Sequence, residues 1–229
     1  MAGMKNNKMK FLYLVALFVL FAGTTFATEL DSLNRDPKYV ETIKGRSQKI
    51  VDKLKLKKAN VALDVRNIIA NKYFLLNDIY EKRDAAVKKV KDSGVTGSQK
   101  NEALAAIDHE KDAALYRSHF AFASDLSLLL NEKQIEEVKD GMTFGVVNVT
   151  YTATLDMIPS LKADEKKQIL AWLKEAREFA MDAENSNKKH EAFGKYKGRI
   201  NNYLSKRGYD LTKERAEWEK RCKAKGIKL

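Results

Sequence analysis

The chain contains only two prolines, Pro37 and Pro159, so most of it lacks the residue that best interrupts an α-helix. Asp36 and Pro37 together are typical of a helix start, with an N-cap followed by proline at the first helical position. Apolar residues recur at intervals of three and four along most of the sequence after this point. This period belongs to a helix, so the sequence predicts an all-α helical bundle.

Two predicted helices are long, at about residues 59–91 and 98–130, and a turn with two glycines joins them. We therefore expect a long antiparallel αα-hairpin over about residues 59–130. A compact, motif-rich helical part should follow over about residues 131–224, and a single domain over 28–229 is the simplest account.

Within the C-terminal part, the period predicts helices over residues 164–183 and 186–206 and a last helix capped by Thr212. The segment Phe144–Thr154 is rich in β-branched residues. It is expected to be an extended loop that enters a helix through Leu155, with a short strand as the alternative.

Residues 1–27 have the organisation of a secretory signal peptide. A basic segment precedes the apolar run Phe11–Ala22, and Thr25-Phe26-Ala27 supplies a cleavage site. The apolar run is about twelve residues long, which is short for a bilayer span. We expect a protein exported to the periplasm or beyond, without a stable membrane anchor after cleavage; an uncleaved signal anchor is the alternative.

The sequence contains few of the residue patterns that are typical of metal or cofactor sites. The three histidines lack ligand spacing, and Cys222 is the only cysteine, so no intrachain disulfide can form. The sequence contains neither a nucleophile elbow nor a phosphate-cradling glycine loop. It therefore predicts no metal, no cofactor and, more weakly, no catalysis.

Charge is segregated along the chain. Residues 28–187 contain 26 basic and 26 acidic residues, whereas residues 188–229 contain 14 basic and 5 acidic ones. The excess of nine positive charges at the C-terminal end indicates a local cationic surface and an acidic partner. Nucleic acid is disfavoured as that partner because the chain is expected to be exported.

The helix over 186–206 places its cations beside aromatic rings. Such a pairing suits a sugar, because rings stack on C–H faces while Arg and Asn bond hydroxyls or carboxylates. The simpler alternative is a solvated surface. The predicted carbohydrate-binding residues are Tyr196, Arg199 and Tyr203, with Lys195, Asn202 and Trp172 in support.

A second face of the same helix carries Gly194 and Gly198, four residues apart. Small residues let another backbone approach closely, and the preceding helix offers an alanine stripe at Ala176, Ala180 and Ala183. We expect the two helices to pack through these faces, with Asn201 at the interface.

Two runs are too distinctive for generic helix, Val138–Gly145 and Gly194–Leu204. With Leu155–Pro159 and Ala171–Arg177 between them, they resemble an exported bacterial family catalogued as domain of unknown function 3826. That family is described as sugar-binding and accompanies polysaccharide breakdown systems. The resemblance implies a carbohydrate-linked role and brings no catalytic residues; the cationic helix suggests an acidic sugar.

Two other functions stay open. The run Leu130–Gln134 is similar to the Leu-Thr-x-x-Gln motif of small periplasmic helical chaperones, with Asn131 in place of the threonine. A carbohydrate-active hydrolase would need a pair of carboxylates. The candidates for such a pair are Asp140, Asp156, Glu175 and Asp182.

Overall fold

The computed structural model describes residues 27–227, so the predicted signal peptide lies outside the described residues except for Ala27. Over this range the protein is a bundle of eight α-helices without a strand, which confirms the all-α prediction. The helices are α1 (Pro37–Leu54), α2 (Ala59–Asp92), α3 (Gly97–Ser127), α4 (Glu132–Met142), α5 (Val146–Met157), α6 (Ala163–Met181), α7 (Ser186–Lys206) and α8 (Leu211–Ala224).

Side-chain caps explain where several helices begin. Asp36 accepts a hydrogen bond from the Tyr39 backbone nitrogen at the start of α1. Asn131 and Gln134 bond reciprocally to each other's backbone and form a capping box at α4. The predicted Thr212 cap of α8 is wrong, because Asp210 caps this helix.

Helices α2 and α3 pack against each other as the predicted hairpin, and Gly94 and Gly97 at its tip take positive φ. The hairpin has two unlike halves. Its base, residues 64–76 and 118–126, contributes buried side chains, whereas no side chain in residues 77–117 is buried. We call residues 77–117 the arm.

Two large apolar clusters hold the rest of the molecule together. The first joins α1, the hairpin base and α4, and the second joins α5, α6 and α7. The first cluster includes Ile50, Val65, Ile69, Phe122, Leu126, Val138 and Met142, and the second includes Val147, Ile169, Leu173, Ala176, Phe193, Ile200 and Leu204.

Gly141 lies where α1 and α4 pack closely. A Cβ atom at this position would lie 2.9 Å from the Cγ2 atom of Ile50, which is itself buried. The run Val138–Gly145 therefore includes a glycine that packing requires.

The segment Phe144–Thr154 is not the expected extended loop. Its larger part is helical, because α5 begins directly after Gly145, whose φ is +67°. Val147 is buried in the second cluster, and this packing outweighs the strand preference of the β-branched residues.

The predicted glycine-mediated contact between α6 and α7 is also wrong. A Cβ atom at Gly194 or Gly198 would meet nothing within 4 Å, and Asn201 is exposed. The larger apolar face of α7 takes the contact instead, with Phe193 and Ile200 packed in the same cluster as Ala176. The glycine face is turned into solvent.

The last helix lies on α5. Arg221 donates to the carbonyl oxygens of Asp156 and Met157, and the Trp218 indole donates to the Asp156 carboxylate at 2.6 Å. Cys222, a residue of this helix, is buried. Among residues 27–227, none of the helices has the length and apolar character needed to cross a bilayer.

Candidate functional site

Five of the six predicted binding residues line one open depression of about 570 Å³ between α6 and α7. Tyr196 adjoins it, with its ring centroid 5.9 Å from the Arg199 Cζ atom. We call the six the aromatic–cationic face: Trp172, Lys195, Tyr196, Arg199, Asn202 and Tyr203.

Arg199 is held by two neighbours on this face. Its Cζ atom lies 4.5 Å from the centroid of the Trp172 ring, and its Nη1 atom lies 3.3 Å from the Glu175 Oε2 atom. About half of each charged side chain stays exposed. Stacking fixes the plane of the guanidinium while its other N–H groups remain open to a ligand.

The aromatic rings are less available than the sequence suggested. Trp172 and Tyr203 meet edge to face at 5.0 Å, and Arg199 covers Trp172 while Arg207 lies 4.6 Å from the Tyr203 centroid. Guanidinium groups thus occupy the ring faces that a sugar would stack on. The face is better suited to a carboxylate than to an apolar sugar surface.

Tyr196 connects this face to a second region. Burial raises the pKa of its phenol, and hydrogen bonding with Glu175 raises it further, so the hydroxyl stays a neutral donor. The Tyr196 ring lies 6.3 Å from the ring of Phe179, one helical turn beyond Glu175 on α6.

Phe179 lines a second cavity of about 500 Å³ between the hairpin and the end of α6. We call it the hairpin cleft. Three large rings at its border, Tyr116, Phe120 and Phe179, are each more than half exposed. Its polar lining includes Tyr80, Asp112, His119, Glu178 and Asp182.

The floor of the hairpin cleft is a buried ionic network. His119 Nδ1 lies 2.7 Å from Asp182 Oδ2, and Lys72 Nζ lies 2.6 Å from Asp182 Oδ1. Lys72 also donates to the Ser118 hydroxyl, and Tyr80 donates to the Asp182 carbonyl oxygen. Every member is therefore held by at least one partner, which fixes the His119 ring in place.

Burial and charge oppose each other in this network. Burial lowers the pKa of Lys72, and the neighbouring Asp182 carboxylate only partly restores it. Burial alone would raise the pKa of Asp182, but the hydrogen bond with His119 and the Lys72 charge leave it below its usual value. Asp182 is thus a stable anion and a poor general acid.

Beside this network, Arg177 forms a second buried one. Only 2% of its side chain is exposed, and it donates to Asp140, Glu136 and Glu178. Glu178 also accepts from Lys139 and lies 3.5 Å from His119 Nε2. The two networks meet at Glu178, so α6 ties α4 to the hairpin.

The four carboxylates considered for a hydrolase are each held by a cation or a ring N–H group. Each has a different donor: Arg177 for Asp140, Trp218 for Asp156, Arg199 for Glu175 and Lys72 for Asp182. In the part of the chain that the structure describes, no group of three or more His, Cys, Asp or Glu residues is arranged to hold a metal ion.

The sequence interpretation did not find the hairpin cleft. Its ionic groups come from α2, α3 and the end of α6, far apart in the chain. One signal was present, because Lys72 follows Ile68 and Ile69 on the apolar stripe of α2. A lysine on a buried stripe indicates a buried anionic partner.

A profile of the family described as "Protein of unknown function (DUF3826)" matches residues 40–224. The chain belongs to this family. The matched range runs from α1 to the end of α8 and contains both the aromatic–cationic face and the hairpin cleft. No curated protein sequence matches the chain.

Proposed function

We propose that this protein binds an acidic carbohydrate without transforming it, and that the aromatic–cationic face holds the ligand. The observation that carries the proposal is the position of Arg199, stacked at 4.5 Å on Trp172 and half exposed. A guanidinium held in this way presents a planar pair of donors, which matches the carboxylate of a uronic acid.

The groups around Arg199 complement the rest of a sugar. Asn202 and Lys195 are exposed on the same side of α7, where an amide and an ammonium can bond hydroxyls and a second carboxylate. The excess of positive charge in residues 188–229 favours anionic ligands over neutral ones.

Export belongs to the same proposal. The predicted signal peptide would deliver the protein to the periplasm or the cell exterior, where polysaccharides are encountered. The resemblance of Gly194–Leu204 to an exported, carbohydrate-linked family supports the same location.

The test is a binding titration with an oligouronate and with its carboxyl-reduced, neutral counterpart. We expect saturable binding of the oligouronate that weakens between low and moderate salt, since salt screens exposed charges. Arg199→Ala should weaken it on the order of tenfold while leaving thermal stability nearly unchanged.

Arg215→Ala is the matched control, because Arg215 is an exposed, ion-paired arginine on α8 outside the face. It removes the same charge and should leave affinity nearly unchanged. Equal losses in the two variants would show that binding follows net charge only and would contradict a defined site.

Glu175 gives a second, opposite test. Its carboxylate competes with the ligand for Arg199 at 3.3 Å. Glu175→Gln should therefore strengthen oligouronate binding several-fold, because repulsion and competition are both removed. A weaker interaction in this variant would mean that Glu175 orients Arg199 productively and that the competition argument is wrong.

The two alternatives predict other results. A chaperone would suppress the aggregation of several unrelated proteins and ignore the glycans, although Asn131 and Gln134 of the suggestive motif serve as a capping box. A hydrolase would release product, and Asp182→Asn, with its carboxylate in the hairpin cleft, should abolish that release.

A further inference from the structure

The hairpin cleft has the composition of a binding site, but not for an anion. Tyr116, Phe120 and Phe179 leave 68%, 57% and 63% of their surfaces exposed around one cavity. Large aromatic rings are usually buried, because removing apolar surface from water is favourable. Rings that stay exposed and cluster around one cavity are therefore typical of ligand-binding surfaces.

The charged groups of this cleft decide its ligand class. Asp112, Glu178 and Asp182 line it, and His119 is held between the latter two. Carboxylate oxygens accept hydrogen bonds from hydroxyl groups, and no lysine or arginine is among the described residues that line the cleft and could bind a ligand carboxylate. The aromatic rings can stack on the C–H faces of a sugar, and the carboxylate oxygens can accept hydrogen bonds from its hydroxyl groups. This combination matches a neutral sugar.

The two sites adjoin each other at one pair of rings. Phe179 lines the hairpin cleft, and its ring lies 6.3 Å from Tyr196 of the aromatic–cationic face, with an interplanar angle of 30°. Glu175 lies between Trp172 and Phe179 on the outer side of α6. A chain of sugar units that leaves Arg199 can therefore reach the cleft across these two rings.

We propose that the hairpin cleft is a neutral-sugar subsite and that the natural ligand is an oligosaccharide with both carboxylated and neutral units. This inference rests on the proposed function for the acidic half of the ligand. It assigns different parts of one glycan to two surfaces of different chemistry.

The experiment compares three ligands: a homo-oligouronate, an oligosaccharide of alternating uronate and neutral units, and the carboxyl-reduced form of the latter. Phe120→Ala should weaken the alternating ligand about three- to tenfold and leave the homo-oligouronate unchanged. Arg199→Ala should weaken both charged ligands. Phe144→Ala is the matched control, since Phe144 is equally exposed but lies against His190.

The outcomes separate the two proposals. Loss of binding in Arg199→Ala with no effect of Phe120→Ala on any ligand would overturn the subsite and leave the proposed function standing. Binding of the reduced ligand that depends on Phe120 but not on Arg199 would support the subsite and overturn the acidic-sugar function. Competition by an unfolded polypeptide, without glycan binding, would overturn both.

A separate observation concerns the segment directly after the predicted cleavage site. The Thr28 backbone nitrogen donates to Asp64 Oδ1 at 2.8 Å, and Asn67 donates to the Thr28 carbonyl oxygen at 2.7 Å. Asn71 bonds the chain just beyond in the same way, at the Glu29 carbonyl oxygen and the Asp31 nitrogen. One face of α2 thus binds the chain from residue 28 onward.

Asp64 is unusual among the α2 residues that bind this segment. It is only 6% exposed, and no lysine or arginine among residues 27–227 forms an ion pair with it. A buried carboxylate needs a compensating charge. Cleavage after Ala27 would turn the Thr28 amide into an ammonium group at the 2.8 Å position that the structure shows.

We infer that Asp64 is the counter-ion of the new amino terminus, so that removal of the leader completes the fold. The cleavage hydrolyses the Ala27–Thr28 peptide bond with one water molecule, and the released amine takes up a proton at neutral pH. The exposed position of Ala27 leaves this bond accessible.

The test compares the chain that begins at Thr28 with the same chain acetylated at its α-amino group. Acetylation keeps one N–H donor and removes the charge, so Tm should fall by about 2–6 °C at pH 6. In the Asp64→Asn background the difference should vanish. An equal effect of acetylation in both backgrounds, or none in the parent chain, would overturn the inference, as would an exported protein whose mass shows a different first residue.

Discussion

The base and the arm of the hairpin belong to the same two helices but are stabilised differently. In the base, α2 buries Val65, Ile69 and Phe74 against α1, α3 and α4. In the arm, α2 packs along α3 and reaches the rest of the molecule through polar contacts, such as those of Tyr80 with Asp182 and Arg83 with Glu184, and no side chain from residue 77 to 117 is buried. Helix propensity, pairing along the hairpin and these polar contacts must hold the arm, whereas a three-sided core holds the base.

This difference matters because the hairpin cleft lies where the two halves meet. Its rings Tyr116 and Phe120 flank Ser118, the first buried residue of α3 after the arm. Local opening of a poorly packed segment is easier than opening of a core. We therefore expect the hairpin wall of the cleft to adjust more easily than the α6 wall, which is anchored by Arg177 and Asp182.

The largest expected effect tests this contrast with one substitution at two positions of α3. Leu126 is fully buried in the first cluster, and Leu126→Ala should lower the free energy of unfolding by about 2–5 kcal/mol. Leu104→Ala, in the arm, should lower it by less than about 1 kcal/mol. Urea denaturation measures both; similar losses would show that the arm is as tightly packed as the base.

The second prediction concerns how the free energy of unfolding depends on pH. It uses Lys189, on the same side of the molecule as the anchored α6 wall. Burial lowers the pKa of Lys189 to about 8, with Asp182 raising it and Lys72 and Arg46 lowering it further. Above pH 8 the folded state loses a proton that the unfolded state keeps until about pH 10.5. Stability should therefore rise between pH 8 and 10, by at most about 3 kcal/mol.

The matched measurement is the same pH series on Lys189→Met. Tyr73 and Tyr80 have pKa values of about 12, raised by burial, so above pH 10 they act in the opposite direction. They are present in both proteins and cancel in the difference. A difference that does not change with pH would show that Lys189 has an ordinary pKa.

A third, somewhat smaller effect is expected at Gly141. Alanine there places a methyl group 2.9 Å from Ile50 Cγ2, and overpacking of this kind costs about 1–3 kcal/mol. The better helix propensity of alanine offsets up to about 1 kcal/mol. Calorimetry should show that Gly141→Ala is much less harmful in an Ile50→Ala background, where the clash is removed. Additive losses would exclude this contact as the cause.

The smallest effect is expected at the tip of the arm. Gly94 has φ +73° and open space around it, so Gly94→Ala adds backbone strain of about 1 kcal/mol without a clash. Because the arm contributes no buried side chain, we expect it to open locally. Hydrogen exchange of arm amides should therefore accelerate while global unfolding changes little. A full loss of about 1 kcal/mol in global stability would show that arm and base unfold as one unit.

The helices follow from the sequence because their period is local information. The structure starts α2 at residue 59 and spans α7 over 186–206, as predicted. The face that a helix turns toward the core depends on the helices packed against it and not on its own sequence alone. For this reason the glycine face of α7 was wrongly predicted to lie in an interface. The helical state of α5 was missed for the same reason, since it depends on burial of Val147.

The same distinction between local sequence information and tertiary packing applies to the two candidate sites. Lys195, Arg199 and Asn202 come from one helix, so the helical period alone is enough to bring them together on one face. The cleft network needs α2, α3 and the end of α6 to meet, and pairs Lys72 and His119 with Asp182 across long sequence separations. Such a meeting depends on tertiary packing that no local pattern encodes.

The burial of Cys222 on the inner side of α8 has a practical consequence. A thiol that is 3% exposed reacts with alkylating reagents only when its surroundings open. Since it is the only thiol in the chain, its labelling rate reports the opening of its own surroundings, and detachment of α8 is one such opening. The protein therefore carries its own kinetic probe for opening around its last helix, independent of any ligand.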